Sequence, residues 1–287
     1  MSTLQDRLVV VTGANSGIGR SLTELLLDAG ARVVMVCRNA ERGRQALDEV
    51  TRAPCPGRAE LEVADVSDFD AVRALAGRLQ RFDAIEALVN NAGVWRSKLE
   101  KTPADLEVTM ATNHLGHFLL THLVLDLLRQ GGNRIVNVSS EAHRRGDLVR
   151  APLGDIVSGQ AWKGGLQAYS DSKLANVLFT AELVRRYGET GMIANSLHPG
   201  VLATRIWNKT RNPITYLLRA FKPFMGSPAI GGRAILRLLS DPDLAGVTDT
   251  YFKVDAESEP SVSARDADLA RALWEISARL TGAVGAP

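Results

Sequence analysis

Cysteine is scarce in this sequence, and its scarcity narrows the class of protein. Only two cysteines occur among 287 residues, Cys37 in an apolar stretch and Cys55 between two prolines. Two thiols cannot build a disulfide framework or a cysteine-rich zinc site. A chain without such cross-links fits the reducing cytoplasm, so we expect a cytoplasmic protein that holds no structural metal.

Long apolar runs and an excess of one charge are lacking as well. No stretch reaches the roughly 18–20 apolar residues of a membrane span, because His122 and Asp126 interrupt even "HFLLTHLVLDLL". The first apolar run begins at Leu8, which leaves no room for a signal peptide. A net charge of +2 gives no basic patch for nucleic acid. We therefore expect a soluble protein with no transmembrane segment and no nucleic-acid partner.

Short runs rich in Val and Ile alternate with longer amphipathic stretches, which is the pattern of β-α-β units. The predicted strands are residues 7–12, 31–37, 59–64, 85–90, 133–139, 191–197 and about 249–254. Helices are predicted at residues 17–29, 40–52, 68–80, 103–130 with a break around Asn113, 167–187, 227–240 and 264–281. Right-handed crossovers place helices on both faces of a sheet. The pattern predicts one α/β domain over residues 1–287, with a doubly wound, seven-stranded parallel sheet.

A glycine-rich turn, "TGANSGIG", joins the first predicted strand to the first helix. Glycines permit a tight turn and a close backbone approach to a phosphate, and the helix N-terminus offers free N–H groups. The spacing is G-x-x-x-G-x-G and not the more common G-x-G-x-x-G, and a plain tight turn is the alternative. The context predicts a dinucleotide phosphate site formed by Gly13, Asn15, Ser16, Gly17, Ile18 and Gly19.

The end of the second strand, "VMVCRN", bears on which dinucleotide binds. An NAD site would show an acidic residue there for the ribose 2′-hydroxyl, whereas this sequence has neutral Cys37 followed by Arg38. A guanidinium pairs well with a 2′-phosphate, and Arg20 and Arg42 are expected to add to its field. The sequence therefore favours NADP(H) over NAD(H), the alternative being that Arg38 is only a solvated strand-end residue.

Six motifs occur in the order found in short-chain dehydrogenases/reductases, and the sequence resembles that superfamily over its first 205 residues. They are "TGANSGIG", "NNAG" from Asn90, "NHLGHF" from Asn113, "IVNVSS" from Ile135, "YSDSK" from Tyr169 and "HPGVLAT" from His198. More narrowly, "YSDSKLANVLFT", "SLHPG" and "LWEIS" resemble the retinol dehydrogenase branch. The resemblance implies a Rossmann-type fold and the interconversion of an alcohol and a carbonyl.

Tyr169 and Lys173 lie one turn apart on a predicted helix. Alone, such a pair indicates a core-edge tyrosine beside a solvated lysine. Carbonyl reduction needs a hydride from a nicotinamide and a proton, and a free phenol has a pKa near 10. We expect the Lys173 ammonium to lower the pKa of Tyr169 toward neutrality. The resemblance implies a catalytic tetrad in which Ser140 hydrogen-bonds the reacting oxygen and Asn113 holds a water that connects Lys173 to solvent.

The resemblance also assigns the remaining cofactor-binding residues. Asp65 and Val66 should border the adenine, and Lys173 should bond the nicotinamide ribose. Asn91, Ala92 and Gly93 should line the adenosine ribose. The nicotinamide loop is assigned to Pro199, Gly200 and Thr204. Four other polar residues are predicted to pack or to lie on a helix surface and not to bind a metal: Asn90, His114, His117 and His122.

Two longer segments, about 141–166 and 200–226, flank the predicted site and are expected to select the substrate. The stretch between Ser140 and Tyr169 is longer than is usual in the superfamily. Residues 205–226 hold five basic residues and no acidic ones, together with four aromatics. A lid over a bulky, mainly lipophilic small molecule is the preferred interpretation. A peripheral membrane contact is the alternative.

Helix 113–130 is apolar on almost every side, so a single sheet cannot cover its whole apolar surface. Together with helix 167–187 it predicts a four-helix contact in a homodimer. Two other functions stay open: a non-catalytic, regulatory dinucleotide-binding protein, and a sugar-nucleotide epimerase or dehydratase. The presence of both Tyr169 and Lys173 speaks against the first, and the glycine spacing against the second.

Overall fold

The computed structural model describes residues 4–200 and 227–283. Its centre is an eight-stranded sheet in the order β3-β2-β1-β4-β5-β6-β7-β8, parallel except for β8. The strands are β1 Leu8–Thr12, β2 Arg32–Cys37, β3 Arg58–Val63, β4 Ala87–Asn90, β5 Arg134–Val138, β6 Ile193–His198, β7 Tyr251–Lys253 and β8 Ala256–Glu257. The doubly wound parallel sheet is confirmed, and β8 was missed because two residues show no periodicity.

Helices cover both faces of this sheet, as predicted. They are α1 Gly17–Asp28, α2 Ala40–Val50, α3 Phe69–Leu79, α4 Val108–Met110, α5 Gly116–Leu123, α6 Leu125–Gln130, α7 Leu153–Ser158, α8 Gly165–Tyr187, α9 Pro228–Ser240 and α10 Ala267–Thr281. One core lies between the sheet and α1, α2 and α9. A second lies between the opposite face and α3, α5 and α8. Strands buried on both sides explain the continuous Val and Ile runs.

The predicted helix over 103–130 begins later than expected and is interrupted. Asp105 has a φ of 58°, a left-handed conformation that stops a helix. The Glu107 carboxylate accepts from the Met110 N–H at 2.7 Å and caps the start of α4. A π-helix over Ala111–Leu115 separates α4 from α5, so the predicted break around Asn113 is present as a π-helical turn.

The C-terminal helix α10 covers the apolar face on which the homodimer prediction rests. Trp274 on α10 is only 6% exposed. Its ring centroid lies 4.9 Å from that of Phe118 on α5, 5.9 Å from Phe179 and 6.0 Å from Tyr187, both on α8. Both helices are thus covered within one chain. The apolar face of these helices therefore no longer supports a four-helix homodimer, because α10, which the prediction did not consider, packs on it.

Residues 141–166, where no helix or strand was predicted, contain a 3₁₀-helix over Glu141–Arg145 and the helix α7. A buried ion pair fastens this segment to α8, with Arg150 Nη1 2.8 Å from an Asp171 carboxylate oxygen. The second substrate segment, residues 205–226, lies outside the described residues. Among those that are described, no helix has the length and apolar character needed to cross a membrane.

Candidate active site

A cavity of about 430 Å³ opens at the carboxyl ends of β1 and β4, the two neighbouring strands between which the direction of the strand order reverses. Ligands of doubly wound sheets bind at such switch points. It gathers most of the predicted residues: Gly13, Asn15, Ser16, Gly17, Ile18, Arg38, Asp65, Val66, Asn91, Ala92, Gly93, Ser140, Tyr169, Lys173, Pro199 and Gly200. Gly19 and Asn113 do not line it, and Thr204 lies outside the described residues.

The glycine-rich turn brings bare backbone to the cavity wall. Gly13 has a φ of +68°, and a Cβ added there would lie 2.9 Å from Ala92 Cα. Gly19 has a different task, since a Cβ on it would lie 2.6 Å from the carbonyl oxygen of Gly13. It permits α1 to pack closely on the turn, while the residues before it face the cavity.

The three arginines expected near a 2′-phosphate separate into two groups. Arg38 and Arg42 line the cavity, and Arg38 Nε lies 3.5 Å from a carboxylate oxygen of Asp65. Arg20 does not line it, because its guanidinium pairs with Glu24 at 3.0 Å and with Glu49. The Arg20 charge is thus engaged by these two carboxylates, and its contribution near a 2′-phosphate stays a prediction.

Tyr169 and Lys173 meet on the cavity side of α8. Lys173 Nζ lies 5.7 Å from the centre of the Tyr169 ring, and the two residues are only 8% and 3% exposed. The Lys173 ammonium donates to the carbonyl oxygen of Val138, at the end of β5, at 2.8 Å. The strand thus fixes the lysine beside the tyrosine.

Burial moves the pKa values of both groups. It raises the pKa of Tyr169 to about 12, which a hydrogen bond with the Ser140 side chain opposes. It lowers the pKa of Lys173 to about 7, because the charged form loses hydration. The expected lowering of the phenol pKa by Lys173 is therefore not found, because burial is the largest cause acting on this group. The phenol keeps its proton at neutral pH.

The paired serines at the end of β5 have different partners. The Ser139 hydroxyl donates to the backbone carbonyl of Lys173 at 2.8 Å and joins the strand to α8. The Ser140 hydroxyl accepts from the N–H of Ala142 at 3.2 Å and hydrogen-bonds Tyr169. Ser140 therefore contacts the phenol, whereas Ser139 contacts the backbone of α8.

Asn113 lies behind the cavity wall with its side chain engaged by the protein. Its Oδ1 accepts from Val94 N at 2.8 Å, while its Nδ2 donates to Val94 O at 3.0 Å and to the Ser172 hydroxyl at 2.9 Å. Both amide protons are used, so the Asn113 side chain holds the turn that follows β4 in place. The predicted water at Asn113 stays a prediction.

Sequence reasoning missed several neighbours of the site. Trp95, Arg96, Thr112 and His198 also line the cavity. His117, predicted to be a packing residue, bonds to Thr12 and Asn113 behind it. Its place one helical turn after Asn113 in "NHLGHF" was the available signal, but its partner Thr12 is remote in the chain.

The comparisons with known proteins agree with this architecture. The profile of the short chain dehydrogenase family matches residues 7–152. Retinol dehydrogenase 14 of Homo sapiens is 36% identical over 97% of this chain and 87% of its own length. Retinol dehydrogenase 12 of Mus musculus is 38% identical over 96% and 86%. The chain therefore belongs to the short-chain dehydrogenase/reductase family of oxidoreductases, in its retinol dehydrogenase-like branch.

Solved structures of similar fold extend over nearly the same length. A crystal structure of an uncharacterised protein from Mycobacterium paratuberculosis is 31% identical, with a TM-score of 0.78 over 98% of this chain and 96% of its own. A short chain dehydrogenase from Burkholderia cenocepacia, solved in complex with NADP, is 25% identical, with a TM-score of 0.69 over 88% and 98%.

Proposed function

We propose that this protein is an NADP(H)-dependent oxidoreductase that interconverts a carbonyl and an alcohol on a bulky, mainly lipophilic small molecule. The observation that carries the proposal is the convergence of Ser140, Tyr169 and Lys173 on the cavity that also holds the glycine-rich turn. A proton donor and a phosphate-binding turn in one cavity serve reduction by a nicotinamide.

The cavity wall suits a dinucleotide. The N-terminal residues of α1, Gly17 and Ile18, line it, so unpaired N–H groups and the positive end of the helix dipole are available to a pyrophosphate. Gly13 allows the turn after β1 to lie against Ala92, which an added Cβ would approach to 2.9 Å. The bound nicotinamide would supply the hydride for reduction and accept it in oxidation.

Arg38 supports NADP over NAD. Its side chain is 46% exposed at the cavity and pairs only loosely, at 3.5 Å, with Asp65. An exposed guanidinium at that distance is free to turn toward a phosphate, where its fork geometry gives two charge-assisted bonds. Arg42 lines the same end of the cavity and adds positive charge.

Tyr169 is the proposed acid and base. Burial keeps its pKa well above neutral, so the phenol is protonated when a carbonyl is reduced and delivers its proton to the developing alkoxide. Ser140, bonded to the same phenol, is placed to hold the reacting oxygen. Alcohol oxidation needs the phenolate instead. Its rate should therefore climb with pH over a range where the rate of reduction does not.

The lipophilic substrate is supported by the wall beside the tyrosine. Val94 and Trp95 line the same cavity as Tyr169 and give part of its wall an apolar character. The relatives named retinol dehydrogenases point to the same class of molecule. Retinaldehyde and other hydrophobic aldehydes are the first compounds to test.

A test combines a panel of aldehydes and ketones with reduced cofactor, followed by the loss of nicotinamide absorbance. We expect turnover with NADPH and a fall of roughly 10²–10⁴-fold in kcat in Tyr169→Phe. Tyr187→Phe is the matched control, because Tyr187 lies on the same helix and its buried hydroxyl has no hydrogen-bond partner in the described structure. NADPH binding without turnover of any compound would instead favour the regulatory alternative.

A further inference from the structure

Thr12, at the end of β1, organises the turn that follows β4. Its hydroxyl oxygen accepts from the backbone N–H of Asn91 and of Ala92, each at 2.9 Å. A hydroxyl has two lone pairs and one proton. With both lone pairs engaged, the proton points toward His117 Nε2 at 2.9 Å or the carbonyl oxygen of Val89 at 3.2 Å.

The second ring nitrogen decides how His117 takes part. His117 Nδ1 lies 3.1 Å from the carbonyl oxygen of Asn113. A carbonyl only accepts, so Nδ1 carries the proton, and Nε2 of the neutral ring accepts from the Thr12 hydroxyl. The residue is 2% exposed, so water does not compete for either bond. The imidazole is therefore a bridge with one tautomer between β1 and the π-helical turn.

The two groups that His117 joins hold opposite ends of one turn. Thr12 binds the N–H groups at its start, while the Asn113 side chain binds the N–H and carbonyl of Val94 at its end. Between them lies Gly93, where an added Cβ would be 3.7 Å from Lys173 Nζ. A shift of this turn would change the cavity floor beside the lysine.

On this geometry, and resting on the function proposed above, we propose that His117 is a positioning residue for the cofactor. It fixes the turn of residues 91–94 relative to Lys173, although it does not itself line the cavity. Loss of the ring should weaken dinucleotide binding and lower kcat together, because both depend on the position of this turn.

The test compares His117→Leu with His114→Leu. His114 is buried on the same helical segment, but its Nε2 bonds Ser277 on α10, away from the cavity. Binding of NADPH is followed by fluorescence titration, alongside kcat, KM and thermal unfolding. We expect about ten-fold weaker NADPH binding and a lower kcat in His117→Leu. His114→Leu should lose stability with nearly unchanged affinity.

Two further variants separate positioning from general damage. His117→Gln retains an amide oxygen near the place of Nε2, which can accept from the Thr12 hydroxyl, and should recover part of the affinity. Adding His117→Leu to Thr12→Val should do little more than Thr12→Val alone, because the two residues act as one unit. If His117→Leu matches the wild type, or loses affinity only as His114→Leu does, the inference fails. Wild-type protein that binds no NADPH would instead overturn the proposed function.

Discussion

Replacing Lys173 by Met should remove activity and yet stabilise the cofactor-free protein at neutral and acidic pH. Lys173 is 3% exposed, and burial lowers the pKa of its ammonium from 10.5 to about 7. The folded state therefore binds this proton less well than the unfolded state does. Methionine has a similar length and no charge to bury. The Val138 carbonyl keeps a second donor, Asn176 Nδ2 at 3.1 Å, so the change leaves no unpaired acceptor.

The sign and size of the effect follow from the two pKa values. Below pH 7 the lysine is charged in both states, and the shift from 10.5 to about 7 destabilises the fold by about 5 kcal/mol. Between these two pKa values the unfolded state binds more protons than the folded state, so the destabilisation falls as the pH rises. At pH 10 only about 1 kcal/mol is left. The stability gained by the variant should thus be about 4 kcal/mol larger at pH 6 than at pH 10.

Urea unfolding of both proteins at these two pH values, followed by far-UV circular dichroism, measures the difference directly. Titrating groups that do not interact with Lys173, such as Cys37, are common to both chains and cancel in the comparison. If the difference in unfolding free energy does not change with pH, or grows toward pH 10, then Lys173 is not a desolvated ammonium. The description of the site would then be wrong at this residue.

Three other substitutions test separate parts of the structure. Arg38→Asp should reverse the preference for NADPH over NADH in kcat/KM, and an unaltered preference would refute the assignment of Arg38 to the 2′-phosphate. Trp274→Ala should lower the unfolding free energy by about 3–5 kcal/mol, measured in urea, and a change below about 1 kcal/mol would show that α10 does not close the core. Asp171→Asn should destabilise by about 3 kcal/mol because it strands a buried guanidinium, and adding Arg150→Met should restore much of the loss. Additive losses in that double variant would contradict the buried ion pair.

Local patterns predicted the framework well because they report local geometry. Strands buried on both faces leave continuous Val and Ile runs, and the turn with Gly13 needs glycine wherever it occurs. All seven predicted strands and the helices on both faces are present for this reason. The motifs that place Ser140, Tyr169 and Lys173 at one cavity are equally local.

Partners remote in the chain were beyond sequence reasoning. Nothing in the pattern of α5 shows that Trp274 covers Phe118, or that Thr12 meets His117. The direction of the Tyr169 pKa shift was also wrong, because a charged neighbour is visible in the sequence and the degree of burial is not. The pKa of such a group depends on whether burial or the neighbouring charge has the larger effect, and the degree of burial is known only from the folded chain.

The central claim is that the phenol of Tyr169 delivers the proton during carbonyl reduction. The most direct measurement is a single-turnover absorbance trace of wild-type and Tyr169→Phe protein, each loaded with NADPH and mixed with excess aldehyde. We predict equal NADPH loading and hydride transfer slowed by roughly 10²–10⁴-fold in the variant. Loaded variant protein that oxidises NADPH as fast as the wild type would contradict the claim.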